Sequence, residues 1–173
     1  MPYFAAALAR RASEWTGEEI DLKGVEDLDA VIEELRRVGD DAETQLLFVE
    51  ENDEWFAIVR LDELGDPRVF LSDGRAMESS ELGAILGEAA AIADPPDEDA
   101  VEGDEAEDDD EEDEATQVAG DPVGDVDLLA DLGTPSARLL ALCAEEGQLP
   151  ADIMSSLCES AGCLETLDSL RMA

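Results

Sequence analysis

The sequence predicts an α+β protein in three parts: an N-terminal antiparallel sheet with two helices, an acidic disordered linker, and a small C-terminal all-helical segment. Three observations carry this prediction. An amphipathic helical stripe and several apolar runs of strand length fall before residue 94, a base-free acidic stretch follows, and short helical patterns punctuated by Pro and Gly close the chain. The expected boundaries are 1–93 for the α+β domain, 94–123 for the linker and 124–173 for the helical segment. A chain of 173 residues has room for one domain and an appendage.

Alanine propensity would make a helix of "YFAAALARR", but Pro2, the paired aromatics Tyr3 and Phe4 and the polar stretch that follows favour a first strand. "GVEDLDAVIEELRRVGDD" is the clearest helix. Leu28, Val31, Ile32, Leu35 and Val38 build one apolar stripe, Glu26 and Asp27 are placed in the first turn, Arg36 and Arg37 in the last, and Gly39 stops it. "TQLLFVE", "EWFAIVRL" and "PRVFLS" then read as an antiparallel meander. In the middle run Trp55, Ala57, Val59 and Leu61 share one face and Phe56 and Ile58 the other, so the sheet needs cover on both sides. A second helix, about Ser80 to Ala93 with Ser79 or Ser80 as N-cap, supplies one cover.

Residues 94–123 have few hydrophobes beyond Ala and Val, repeated Pro and Gly, and unbroken like charge, the composition of a segment that does not bury a core. After them, "DVDLLADLG" is expected to be helical up to Gly133, and "TPSARLLALCAEEG" to start with Thr134 as N-cap and Pro135 at the first helical position. "LPADIMSSLCESAG" repeats that punctuation with Pro150 and Gly162, and "LETLDSLR" is the last pattern. So short a segment is marginal for an independent core, so it is predicted to dock on the N-terminal domain or on a partner.

The 48 Asp and Glu against 10 Lys and Arg give a net charge of -38. Residues 94–125 hold 17 of the acids and no base, and no Lys or Arg lies between Arg75 and Arg138. Nucleic-acid affinity comes largely from cations displacing condensed counterions, so direct nucleic-acid binding is not expected. The opening apolar run is too short for a secretory signal, and no stretch has the roughly 18 apolar residues of a membrane span. A soluble cytoplasmic protein is expected, with Cys143, Cys158 and Cys163 as reduced thiols.

Taken together, "YFAAALARRASEW", "DLDAVIEELR", "LLFVEENDEWFAIVRLDELGDPRVFLSDG", the acidic break and "GDVDLLADLGTPSARLLALCAEEGQLPADIMSSLCESAGC" resemble the tRNA adenosine deaminase-associated proteins. The resemblance spans nearly the whole chain outside the low-complexity run. It implies association with a tRNA-specific adenosine deaminase and brings no catalytic motif to carry over.

The residues themselves exclude the deaminase chemistry. Its His-x-Glu and Pro-Cys-x-x-Cys signature holds a zinc that activates water, and this chain contains neither a histidine nor a Cys-x-x-Cys. "CESAGC" and Cys143 offer at most three thiolates at loose spacing, whereas structural zinc takes four ligands, so buried apolar thiols are expected and no metal. The acidic run lacks the alternating ligands and central Gly of a calcium loop. Trp15, Trp55 and Phe56 have the π-faces to stack on bases, but they sit on strand patterns without flanking cations and read as core. No catalytic residue, cofactor site or phosphate loop is assigned.

The function expected from these observations is that of a non-enzymatic accessory protein acting by contact with a tRNA-specific adenosine deaminase. The alternative is an acidic nucleic-acid mimic that competes for a basic surface. Either way the partner-binding candidates are Asp108, Asp109, Asp110, Glu111, Glu112 and Asp113.

Overall fold

The computed structural model describes residues 3–39, 41–63, 66–93, 122–145 and 147–172. The expected linker therefore lies outside the described residues except at its C-terminal end. Among the described residues one antiparallel sheet holds six strands in the order β2-β1-β3-β4-β5-β6, formed by β1 (Tyr3–Arg11), β2 (Glu14–Glu19), β3 (Thr44–Glu51), β4 (Trp55–Asp62), β5 (Arg68–Leu71) and β6 (Val123–Gly124). The helices are α1 (Leu28–Val38), α2 (Ala76–Ser79), α3 (Glu81–Ala93), α4 (Ser136–Ala144), α5 (Pro150–Ala161) and α6 (Leu164–Met172).

Both faces of the sheet are buried, which explains why β1 is a strand despite its alanines. Ala5 and Ala7 face α1 and α3, Ala6 and Leu8 face the C-terminal helices, and all four are buried. The two-sided reading of β4 holds. Trp55, Ala57, Val59 and Leu61 pack with Val31, Ile32 and Leu35 of α1 and Leu86 and Ala90 of α3, while Phe56 and Ile58 pack with Leu139, Met154, Leu157 and Leu167 of α4 to α6. Burying each such large apolar side chain is worth about 1.5–3 kcal/mol, so the C-terminal helices are part of the core rather than an ornament on it.

Local chemistry sets the element ends. Asp27 is the N-cap of α1, its side chain accepting from Ala30 N–H at 3.0 Å, rather than a first-turn residue. Of the two serines considered for α3, Ser80 accepts from Gly83 N–H at 3.1 Å. Asn52 and Asp53, with φ of 56° and 60°, make the tight β3–β4 turn, closed by Glu54 N–H on the Glu51 carbonyl.

Two short strands were not expected, and two expectations are corrected. The strand β2 was not foreseen, because "EWTGEE" has no apolar alternation and its turn uses Ala12 and Ser13 at positive φ instead of an Asn-Gly pair. Val123 and Gly124 form β6 against Leu71 and Phe70, a two-residue strand that comes ahead of the C-terminal helices and ends the sheet. "DVDLLADLG" yields one 3-10 turn, Ala130–Leu132, in place of a helix, ended by Gly133 at φ 103°, where a Cβ would come within 2.7 Å of the Ser160 carbonyl oxygen. Pro135, not Thr134, occupies the N-cap position of α4, and Thr134 is buried with its hydroxyl unpaired among the described residues.

Candidate functional site

The acidic candidates Asp108 to Asp113 lie outside the described residues, but the elements on either side of their segment are described. The last described residue before it belongs to α3 and the first strand after it is β6, and these two elements pack together: a Cβ on Gly124 would lie 2.8 Å from the Ala90 Cβ. The described elements that flank the segment in sequence, α3 and β6, are thus neighbours in the fold, with β6 at the sheet edge.

Three arginines join the C-terminal part to the sheet. Arg60, facing the C-terminal helices from within β4, is buried; it donates to Asp131 Oδ1 and Oδ2 at 2.6 and 2.9 Å, to the Leu128 carbonyl at 2.6 Å and to Asp62 at 3.0 Å. The hydrogen bonds from Arg60 hold the Asp131 carboxyl below the usual carboxylate range. Arg68 donates to Asp125 at 2.6 Å. Arg171 of α6 donates to Glu50 at 3.1 Å and stacks over Phe4, 5.1 Å from the ring centre.

Glu50 lies among Asp53, Asp152 and Arg171. Burial pushes its carboxyl up to about 7, hydrogen bonding with Asp53 adds to the rise, and Arg171 opposes it. Around this point several cavities converge on Tyr3. One of about 390 Å³ is lined by Tyr3, Lys23, Glu51 and Ser80, and a smaller one by Tyr3, Phe4, Glu50 and Asp53. Tyr3 itself donates to Asp21 at 2.7 Å and accepts from Leu22 N–H, and its burial raises the phenol pKa.

The thiols and aromatics sit where packing demands. Cys158 and Cys163 are buried in the C-terminal core, where their mutual hydrogen bond and their burial both raise the Cys158 pKa. Burial alone pushes Cys143 up to about 12, and a thiol whose pKa is raised in this way stays protonated at neutral pH. Trp55 and Phe56 are buried on opposite faces, and Trp15 is half-buried against the C-terminal helices. Among the described residues no group of three or more Cys, Asp and Glu is arranged to hold a metal, and no helix is long and apolar enough to cross a membrane.

Arg60 and Glu50 were not singled out from the sequence. A signal existed: each is a charge inside an apolar run ("FAIVRL", "LLFVEE"), and a charge at such a place must find a partner. The identity of the partners, 71 and 121 positions away, carries no local mark.

Fold and surface together define an acidic α+β protein whose antiparallel sheet is covered by helices on both faces and held shut by arginine clasps. The chain belongs to the Rv3753c-like tRNA adenosine deaminase-associated protein family, whose model matches residues 3–164. No curated protein and no solved structure matches it.

Proposed function

We propose that this chain is a non-enzymatic accessory protein that binds a tRNA-specific adenosine deaminase, or a complex containing it, by protein–protein contact in the cytoplasm. The observation that carries this reading is the match of residues 3–164 to a family described by that association. The sequence supports it. With no histidine and no Cys-x-x-Cys, the chain has nothing from which to build the deaminase zinc site. Unpaired cysteines suit a reducing compartment. The negative field, densest at Asp108 to Asp113, speeds encounter with the basic surface that a tRNA-binding enzyme presents.

A second reading has its own observation. Seventeen acids without a base in residues 94–125 suit a mimic that occupies a basic RNA- or DNA-binding surface. Binding of the purified chain to purified deaminase, with residues 97–114 present and deleted, across a salt series and with tRNA as competitor, separates the two. An accessory protein keeps its affinity at moderate salt without competing with tRNA, and neutralising Asp108 to Asp113 slows association more than it speeds dissociation. A mimic raises the apparent KM for tRNA and loses its effect steeply with salt. No binding at low salt with both proteins folded overturns both.

A further inference from the structure

The β2 edge of the sheet has no neighbour on its outer side among the described residues. Ile20 N–H bonds inward to the Ala5 carbonyl, and in an antiparallel pair the inward-bonding residues alternate, so the N–H and C=O groups of Trp15, Gly17 and Glu19 point outward. Those groups form a row ready to accept another strand. Side chains above and below the row share one sign: Glu14, Glu18 and Glu19 of β2 are all exposed. On the side of the C-terminal helices a cavity of about 460 Å³ opens beside the strand, lined by the half-buried Trp15 together with Leu164, Glu159 and Glu165. It combines an aromatic face with two carboxylates, the environment that suits a guanidinium on an aliphatic stem.

We infer that β2 is a docking edge for an extended, arginine-bearing segment of a partner protein, which adds as a seventh strand and places an arginine in the Trp15–Glu159–Glu165 cavity. Main-chain hydrogen bonds to the outward groups give the register, and the cavity gives the preference for a cation. A second copy of this chain is the poorer occupant. Pairing β2 with itself sets Glu14 and Glu18 against their own kind, and like charges across a strand pair repel. Glu14 and Glu18 thus guard the edge against self-association, while Glu159 and Glu165 select a basic partner.

The inference deepens the accessory-protein reading by naming a contact surface, and its test needs no deaminase. The probe is an acetylated and amidated peptide of alternating arginine and threonine, as long as β2, compared with the same peptide N-methylated on alternate residues. The unmodified peptide is expected to slow amide exchange at Trp15, Gly17 and Glu19, to perturb Trp15 fluorescence, and to bind at least about tenfold tighter than the N-methylated one, which keeps the charge but loses the ladder. The double variant Glu159→Gln, Glu165→Gln, checked for an unchanged unfolding midpoint, should weaken the peptide about tenfold. Equal affinity of the two peptides, or exchange protection anywhere other than β2, would mean charge condensation alone and overturns the inference. Pairing of the chain with itself through β2 at low salt overturns the choice of occupant. Deaminase binding that survives while the peptide fails would sink only this surface and leave the accessory role standing.

Discussion

Arg60 and Asp131 meet through two parallel hydrogen bonds, Nη1 to Oδ1 at 2.6 Å and Nη2 to Oδ2 at 2.9 Å, although one lies in the sheet and the other beyond the acidic segment. The pair is asymmetric, with the Arg60 side chain 6% exposed and that of Asp131 64% exposed. Truncating the two ends should therefore have unequal effects. Arg60→Ala strands the Leu128 carbonyl and is expected to cost about 3 kcal/mol, whereas Asp131→Ala leaves the guanidinium its Asp62 and Leu128 partners and costs about 1 kcal/mol. Urea unfolding of both variants checks the order, and equal losses would refute it.

Glu50 sets a pH dependence. Its folded pKa, about 7, lies above the ordinary value of 4.5, so the folded state binds the extra proton between those values. Stability from this group is accordingly greatest below pH 4.5 and falls as pH rises through 7. Replacing it, Glu50→Gln, should leave stability unchanged well below pH 4.5 and raise it at pH 8 by on the order of 1 kcal/mol, after discounting for screening at the pocket rim. A variant less stable than the parent at pH 8 would show that the Arg171 ion pair dominates instead.

Cys158→Ser puts a hydroxyl into an apolar site and should cost about 1–3 kcal/mol. Zinc content by elemental analysis, under reducing conditions and after dialysis, should be well below one equivalent before and after the change. Stoichiometric zinc released by the substitution would contradict the packing role.

Deleting residues 97–114 should shift the thermal midpoint by no more than a few degrees. The flanking elements α3 and β6 already touch, and closure entropy changes by only about 0.6 kcal/mol per doubling of loop length. Loss of cooperative unfolding would show that the run contributes to the fold.

Elements with two-sided or periodic apolar patterns were legible in the sequence: β1, β3, β4, β5, α1, α3 and α5 all form where their residues imply. The strand β2 was not, because at a sheet edge half its groups face water and polar residues suffice. The helix expected before Gly133 shrank to a single 3-10 turn, since Arg60 captures the Leu128 carbonyl and Asp131 side chain and pins the chain to the sheet. The ion-pair clasps and the cavity beside Trp15 depend on residues brought together by tertiary contact, and a one-dimensional pattern does not contain that information.

The dependence of one sheet face on α4 to α6 has a consequence during synthesis. Leu46, Phe48, Phe56, Ile58 and Phe70 emerge from the ribosome well before Leu128 and everything that covers them. At about 5–20 residues per second the nascent sheet shows this greasy face for several seconds, with the acidic stretch translated in between. The growing chain therefore carries a dense like charge while that face is bare, and like-charged chains repel one another.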